Sequence, residues 1–295
     1  MQIVVWESFR GVFYAPYYAA FALKAFEAEG LDVVLGAVPD LADVGDAIRA
    51  GEAHVAWGGP MRVMVDHDRN PGSDITCFCE VVARDPFFLI GRTPNPGFRL
   101  DDLFDLRLGT VSEVPTPWMC LQEDLRRAGL DPERLPRVSD RSMAENAAAL
   151  RDGELDVAQL FEPFVETLLA EGTGHIWYAA ADRGRTSYTS FYATHTFLRE
   201  HPEVAAKLTR AIYRTQKWIA ANGAAPLALL VAPYFPDIPP AILQGSVARC
   251  IEYRVWGEDP VMPREAFERQ ADGLVSGRLI GRRIAFEDCV DMRFA

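Results

Sequence analysis

The stretch "DAIRAGEAHVA" at residues 46–56 returns about a hundred residues later as "AALRDGELDVA" at residues 148–158. Aligned on the glycine, Ala47, Arg49, Gly51, Glu52, Val55 and Ala56 meet Ala149, Arg151, Gly153, Glu154, Val157 and Ala158. In both copies a helix-like stretch stops at a glycine and a short apolar run follows at once. Glycine in that place supplies the left-handed residue that closes a helix. The apolar run after it reads as a buried strand. One junction written twice predicts two kindred αβ halves.

Working outward, each half repeats a longer order. "QIVVW" (2–6) reads as a strand, "ESFRGVFYA" as its loop, and a helix begins near Pro16, proline being tolerated in a first turn, and ends at Gly30. The strand "LDVVLG", the helix "LADVGDAIRA" stopped by Gly51, and the strand "AHVAW" follow. In the second half "LRLGTV" (106–111) is a strand, "SEVPTP" its loop, and a helix runs from about Trp118 to Gly129. The helix "MAENAAALRD", stopped by Gly153, leads into the strand "LDVAQL". This β-loop-α-β-α-β order makes parallel strands with covering helices, an α/β fold.

Two β-rich passages link the halves: "SDITCFCEVVARDPFFLIGR" (73–92), with Asp85-Pro86 in its middle, and "TSYTSFYATHTFL" (186–198). Two crossings describe a two-strand hinge between two lobes of mostly parallel sheet. Lobe I is expected to comprise residues 1–84 plus 191–295, and lobe II residues 85–190. The chain after the second crossing is mostly helical and is expected to cover lobe I.

A chain of 295 residues is long enough for two cores. Its formal net charge of -12 argues against nucleic acid, because phosphate binding needs Lys and Arg to release counterions. The same charge argues against an anionic membrane surface, although a local arginine can still hold a small anion. No apolar run approaches the roughly 18 residues of a membrane helix. Met1 runs straight into an apparent strand rather than a leader. The chain as written is therefore expected to be cytoplasmic, or periplasmic if an export signal has been lost. Five cysteines show no disulfide framework, and Cys77 and Cys79 alternate along an apparent strand as buried thiols. The five histidines are scattered, so no metal site and no catalytic triad is assigned. No P-loop or dinucleotide fingerprint is present.

Several segments resemble the solute-binding proteins of ABC importers, in particular the group handling nitrate, sulfonates, taurine and the pyrimidine precursor of thiamine. They are "YAPYYAAFALKAFEAEGLDVVL" (14–35), "DAIRAGEAHVAWGGP" (46–60), "LGTVSEVPTP" (108–117), "LRDGELDVAQLFEP" (150–163) and "FLREHPEVAAKLTRAIYRTQKW" (197–218). The resemblance covers nearly the whole chain. It implies a type II periplasmic-binding-protein fold, a small-molecule ligand held between the lobes, and a membrane permease as partner. Similar sequences also include enzymes that make the thiamine pyrimidine with a lysine-bound pyridoxal phosphate. There the lysine follows the third strand, where this chain has Trp57, Gly58 and Gly59. Its only lysines, Lys24, Lys207 and Lys217, lie in apparent amphipathic helices, so no cofactor is assigned. Enzymes of the menaquinone pathway also resemble such binding proteins, and an enzyme on this scaffold stays as the alternative, with Glu7, Asp85 and Glu162 as candidate acid–base groups.

In open α/β sheets ligands bind beyond the carboxyl ends of the strands. From the first half those loops offer Trp6, Phe13, Tyr14, Trp57, Gly58 and Gly59. The last two, with Pro60, let backbone N–H groups approach a ligand oxygen, or form a mere tight turn. From the second half come Ser112, Thr116 and Trp118, the two hydroxyls being equally suited to cap a helix. Glu162 bonds a ligand amine or favours the following helix. From the crossings come Arg84, which clamps an acid group or pairs with Asp85, and Ser187, Tyr188 and Tyr192. Aromatic rings at so many loop positions suit a planar aromatic or heterocyclic solute.

Overall fold

The computed structural model describes residues 1–7, 9–37 and 44–295. Its strands form two five-stranded sheets with the same plan. In the first, β1 (Gln2–Glu7) lies parallel between β2 (Asp32–Ala37) and β3 (Val55–Gly58). An antiparallel β10 (Thr189–Thr194) joins β3 to β4 (Ile75–Val82). In the second, β6 (Leu108–Gly109) lies parallel between β7 (Arg137–Val138) and β8 (Val157–Leu160). An antiparallel β5 (Phe88–Gly91) joins β8 to β9 (His175–Ala179). The orders β2-β1-β3-β10-β4 and β7-β6-β8-β5-β9 match strand for strand. In each sheet four strands run one way, and the strand entering from the other lobe runs against them.

The repeated phrase sits at the same junction in both. The helices α1 (Ala15–Ala22), α2 (Ala25–Ala28) and α3 (Val44–Arg49) precede Gly51, which takes φ +78°. The start of the helix expected over 41–50 falls at 41–43, outside the described residues. After β3 comes α4 (Pro60–Arg69), and the second half has α5 (Thr116–Arg127) and α6 (Met143–Asp152), closed by Gly153 at φ +80°. Ser142 and Glu145 cap the start of α6 reciprocally. The strands that follow the two glycines, β3 and β8, are buried along their whole length, as continuous apolar runs require.

Three expectations change. The helix expected from Pro16 to Gly30 breaks at Lys24, whose φ of 54° is left-handed; the break brings Phe26 to 4.9 Å from Phe21, ring to ring. The second β-rich passage ends at Thr194, which accepts from the Phe197 N–H and starts α8 (His195–Glu200). The C-terminal helices do not cover lobe I alone. After α7 (Phe164–Ala170), α9 (Pro202–Asn222) packs on α1 and α2, followed by α10 (Ala224–Val231). But α11 (Pro240–Glu252) touches both α10 and α7, and α12 (Arg264–Ser276) touches both α4 and α5. Glycine permits the second contact: a Cβ on Gly277 would lie 2.2 Å from the Met119 Sδ.

All five cysteines are buried free thiols. No helix among the described residues is long and apolar enough to cross a membrane.

Because an L-residue in the left-handed region costs about 1 kcal/mol, Gly51→Ala and Gly153→Ala are each expected to lose that much stability. Urea unfolding should show lower midpoints at an unchanged m-value.

Candidate functional site

The loops beyond β1 and β8 meet the two crossings around one side chain, Phe161. From lobe I, the Phe13 ring stands edge-on to it at 5.1 Å and the Phe9 ring lies at 6.3 Å. From the first crossing, Phe87 meets it edge-on at 5.1 Å. Tyr188, on the return crossing, stands edge-on to Phe13 at 6.3 Å. Tyr14 continues the array at 4.2 Å from Phe13, and Phe164 flanks Phe161 at 6.4 Å. Edge-to-face packing of this kind suits the ring quadrupoles. Val111, beyond β6, and Met143, at the start of α6, belong to the same buried cluster.

Other expected residues surround this array or leave it. Trp57 is fully buried and stacks flat on Tyr17 at 4.4 Å, so it forms a wall behind Tyr14. Gly58 pairs with Ser190. A Cβ on Gly59 would lie 3.3 Å from the Tyr188 carbonyl, so glycine lets the end of β3 abut the return crossing. Thr116 is buried at the start of α5 and Ser112 is exposed in its loop; neither caps that helix. Ser187 is buried with φ 49°.

Trp6 and Tyr192 do not join the array. Successive side chains of a strand point to opposite faces. Val5 therefore faces the crevice-side core, while Trp6 enters a second core with Met61, Met64 and Tyr192. Trp118 stacks under the Arg137 guanidinium at 4.2 Å, within the outer core of lobe II. Arg84 does not pair with Asp85. It donates to the Ala181 carbonyl at 3.2 Å and lines a separate hollow.

The carboxylates near the crevice are already engaged. Glu162 accepts from Arg249 Nε at 2.7 Å, Ser246 Oγ at 3.1 Å and the Glu166 N–H at 2.9 Å. Burial pushes its carboxyl above the usual range, against the pull of Arg249. Arg249 also bonds Glu166, so α11 is tied to the start of α7. Glu7 accepts from the Tyr18 hydroxyl at 2.6 Å and from Arg10. Asp85 accepts from Arg183 at 2.7 Å and from the Phe87 N–H at 3.0 Å. Burial pushes the Cys120 thiol up to about 12 and the Cys79 thiol higher, so neither is poised as a thiolate. Among the described residues no group of three or more His, Cys, Asp or Glu is placed to hold a metal.

Phe9, Phe87, Arg183 and Arg249 were not singled out from the sequence. Phe9 and Phe87 sit in the loop and crossing already marked, so their type and place carried the signal. Arg183 and Arg249 carried none, because their partners lie far along the chain.

Replacing Arg249 with Met leaves Glu162 buried without its counter-charge, an expected loss of roughly 3 kcal/mol. Adding Glu162→Gln should restore most of it in urea unfolding. A second expectation concerns Glu80, at 0% exposure beside Arg185. Burial pushes its carboxyl from 4.5 up to about 7, with Arg185 opposing. Between those values the folded chain keeps a proton that the unfolded chain has released, so this group subtracts stability as pH rises. Glu80→Gln should therefore gain stability relative to the wild type from pH 4.5 to 7.5, measured by melts across that range.

Residues 13–225 match the family described as NMT1/THI5 like. YtlA of Bacillus subtilis (strain 168), named for a binding role, is 24% identical over 269 residues, covering 90% of this chain and 80% of its own. Among solved structures, the periplasmic aliphatic sulphonate binding protein SsuA from Escherichia coli shares the fold with a TM-score of 0.80. Its identity is 13%, over 97% of this chain and 96% of its own. The desulfurization enzyme DSZB has the same fold at a TM-score of 0.71 and 16% identity, over 99% and 97% of the two chains. With its two matching sheets and double crossing, this chain belongs to the NMT1/THI5-like family and carries the two-lobed type II periplasmic-binding-protein fold.

Proposed function

We propose that this protein is a solute-binding protein that closes its lobes over a small planar aromatic or heterocyclic solute and presents it to an ABC-type permease. The observation that carries this reading is the packing around Phe161 of Phe13 from the first half and Phe87 from the first crossing, with Tyr188 of the return crossing against Phe13 and Phe87. A planar solute replaces those edge contacts with contacts on both its faces, and so bridges the lobes. Binding then shifts the population toward the closed form. The family, and the printed roles of YtlA and SsuA, support the same reading.

In this proposal lobe I is residues 1–84 plus 191–295 and lobe II residues 85–190, with bending at the crossings. Phe13, Tyr14, Gly58, Gly59 and Tyr188 line the solute together with Phe9, Phe87 and Phe161. Trp57 backs them, and Ser112, Thr116 and Ser187 serve polar substituents at the margin. Glu162 acts with Arg249 as a latch that senses closure. Trp6, Trp118, Tyr192 and Arg84 stay outside the ligand set.

An enzyme on this scaffold is the second reading, and the fold shared with DSZB is what favours it. Against it, Glu7, Asp85 and Glu162 are each committed to a counter-charge or donor, and the thiols are buried.

Mass spectrometry of small molecules released from the freshly purified protein should reveal one planar compound. Calorimetry with that compound should give micromolar or tighter binding, and scattering a more compact particle. Phe161→Leu should weaken binding about tenfold, near 1.4 kcal/mol, while Trp6→Phe leaves it within about twofold. Steady consumption of the compound would replace binding with catalysis; no planar ligand from a broad screen would end the proposal.

A further inference from the structure

Three strands of chain run side by side at the hinge. The first crossing at 82–84 takes hydrogen bonds from the return crossing: Thr186 and Ser187 N–H groups donate to the Ala83 carbonyl, and Tyr188 N–H donates to the Val82 carbonyl. On its other flank, Ala83 and Arg84 N–H groups donate to the Val255 carbonyl, and Gly257 N–H donates to the Val81 carbonyl. Each strand sends one arginine, Arg84, Arg185 and Arg254, into a single hollow of about 200 Å³, with Trp256, Glu258 and Asp259 as further walls. Trp256 separates this hollow from the crevice, since its indole N–H donates to the Phe13 carbonyl at 2.8 Å.

The charges of the hollow are unevenly matched. Arg185 is held by Glu80 and the Val261 carbonyl. Among the described residues, neither Arg84 nor Arg254 has a carboxylate within ion-pairing distance. Arg254 also holds a left-handed φ of 51°, a cost that glycine would avoid. Asp259 keeps one carboxylate oxygen after the other accepts from the Val261 N–H, and Glu258 is exposed. A ligand matching this lining offers several anionic oxygens to the guanidiniums and an O–H to the carboxylates.

We propose that the hinge hollow of Arg84, Arg185 and Arg254 binds a small protonated oxyanion of the hydrogen-phosphate type, at a site separate from the crevice. Guanidinium forks suit such oxygens geometrically. Sulfate, fully deprotonated at neutral pH, has no donor for Asp259 or Glu258 and meets repulsion there instead.

The probe is inorganic phosphate, followed by calorimetry and by phosphorus NMR at pH 7, with ionic strength held constant by potassium chloride. The wild type should bind phosphate saturably and sulfate at least fivefold more weakly. Arg84→Gln and Arg254→Gly should each weaken phosphate binding about tenfold. Arg254→Gly should keep or raise the melting temperature, because glycine accepts the left-handed backbone, so a loss of binding there is not a loss of fold. Phe161→Leu should leave phosphate binding unchanged. Absence of saturable binding, wild-type phosphate affinity in either arginine variant, or loss of phosphate binding in Phe161→Leu would each overturn the proposal. The phosphate readout needs no crevice solute, so its failure and that of the solute-binding reading are separable.

Discussion

Arg183 stands between two carboxylates, Asp85 of the first crossing and Asp124 of α5, with only 9% of its side chain exposed. A guanidinium taken that far out of water is tolerable only where counter-charged acceptors are fixed around it. Tyr178 completes the set by donating to Asp124 at 2.7 Å. The Arg183 and Arg185 carbonyls are in turn held by Arg269 from α12. One ion cluster thus sets the spacing of the two crossings, the seat of lobe II against them, and the path of the C-terminal segment. The crevice geometry follows from that spacing.

The matched sheets give the same argument at a larger scale. Each lobe ends its parallel strands toward the other, and each accepts one antiparallel strand delivered by a crossing. The loops beyond β1, β3, β6 and β8 therefore have no choice but to face one another. Phe161 follows β8, the counterpart of β3, and Phe13 follows β1, the counterpart of β6, so the two rings meet from neighbouring rather than equivalent places in the two sheets. The C-terminal helices then straddle the junction, tied to the second half at Glu162–Arg249 and at the α5–α12 contact.

The hinge is also where unusual backbone gathers. Ser187 and Arg254 are two of the four non-glycine residues with positive φ among the described residues. Both lie on strands that border the first crossing. Conformational cost is thus concentrated where the chain passes between the two sheets.

By itself the sequence determined the two halves, because helix stops, apolar runs and glycine positions are local properties. Gly51 and Gly153 announced the same left-handed closure, and the strands after them came out buried as read. It also marked the loop region that holds Phe13, Tyr14 and Phe161. What it left to tertiary structure was direction and partnership. Trp6 and Trp57 looked alike in sequence, yet strand alternation sends Trp6 to one core and the packing of α1 holds Trp57 flat against Tyr17 in the other. Arg84 and Asp85 are neighbours in the chain, but their side chains serve different partners across the hinge. Arg183 and Arg249 became structural keystones only when folding brought distant carboxylates to them, since an ion pair is a fact of distance through space and not along the chain.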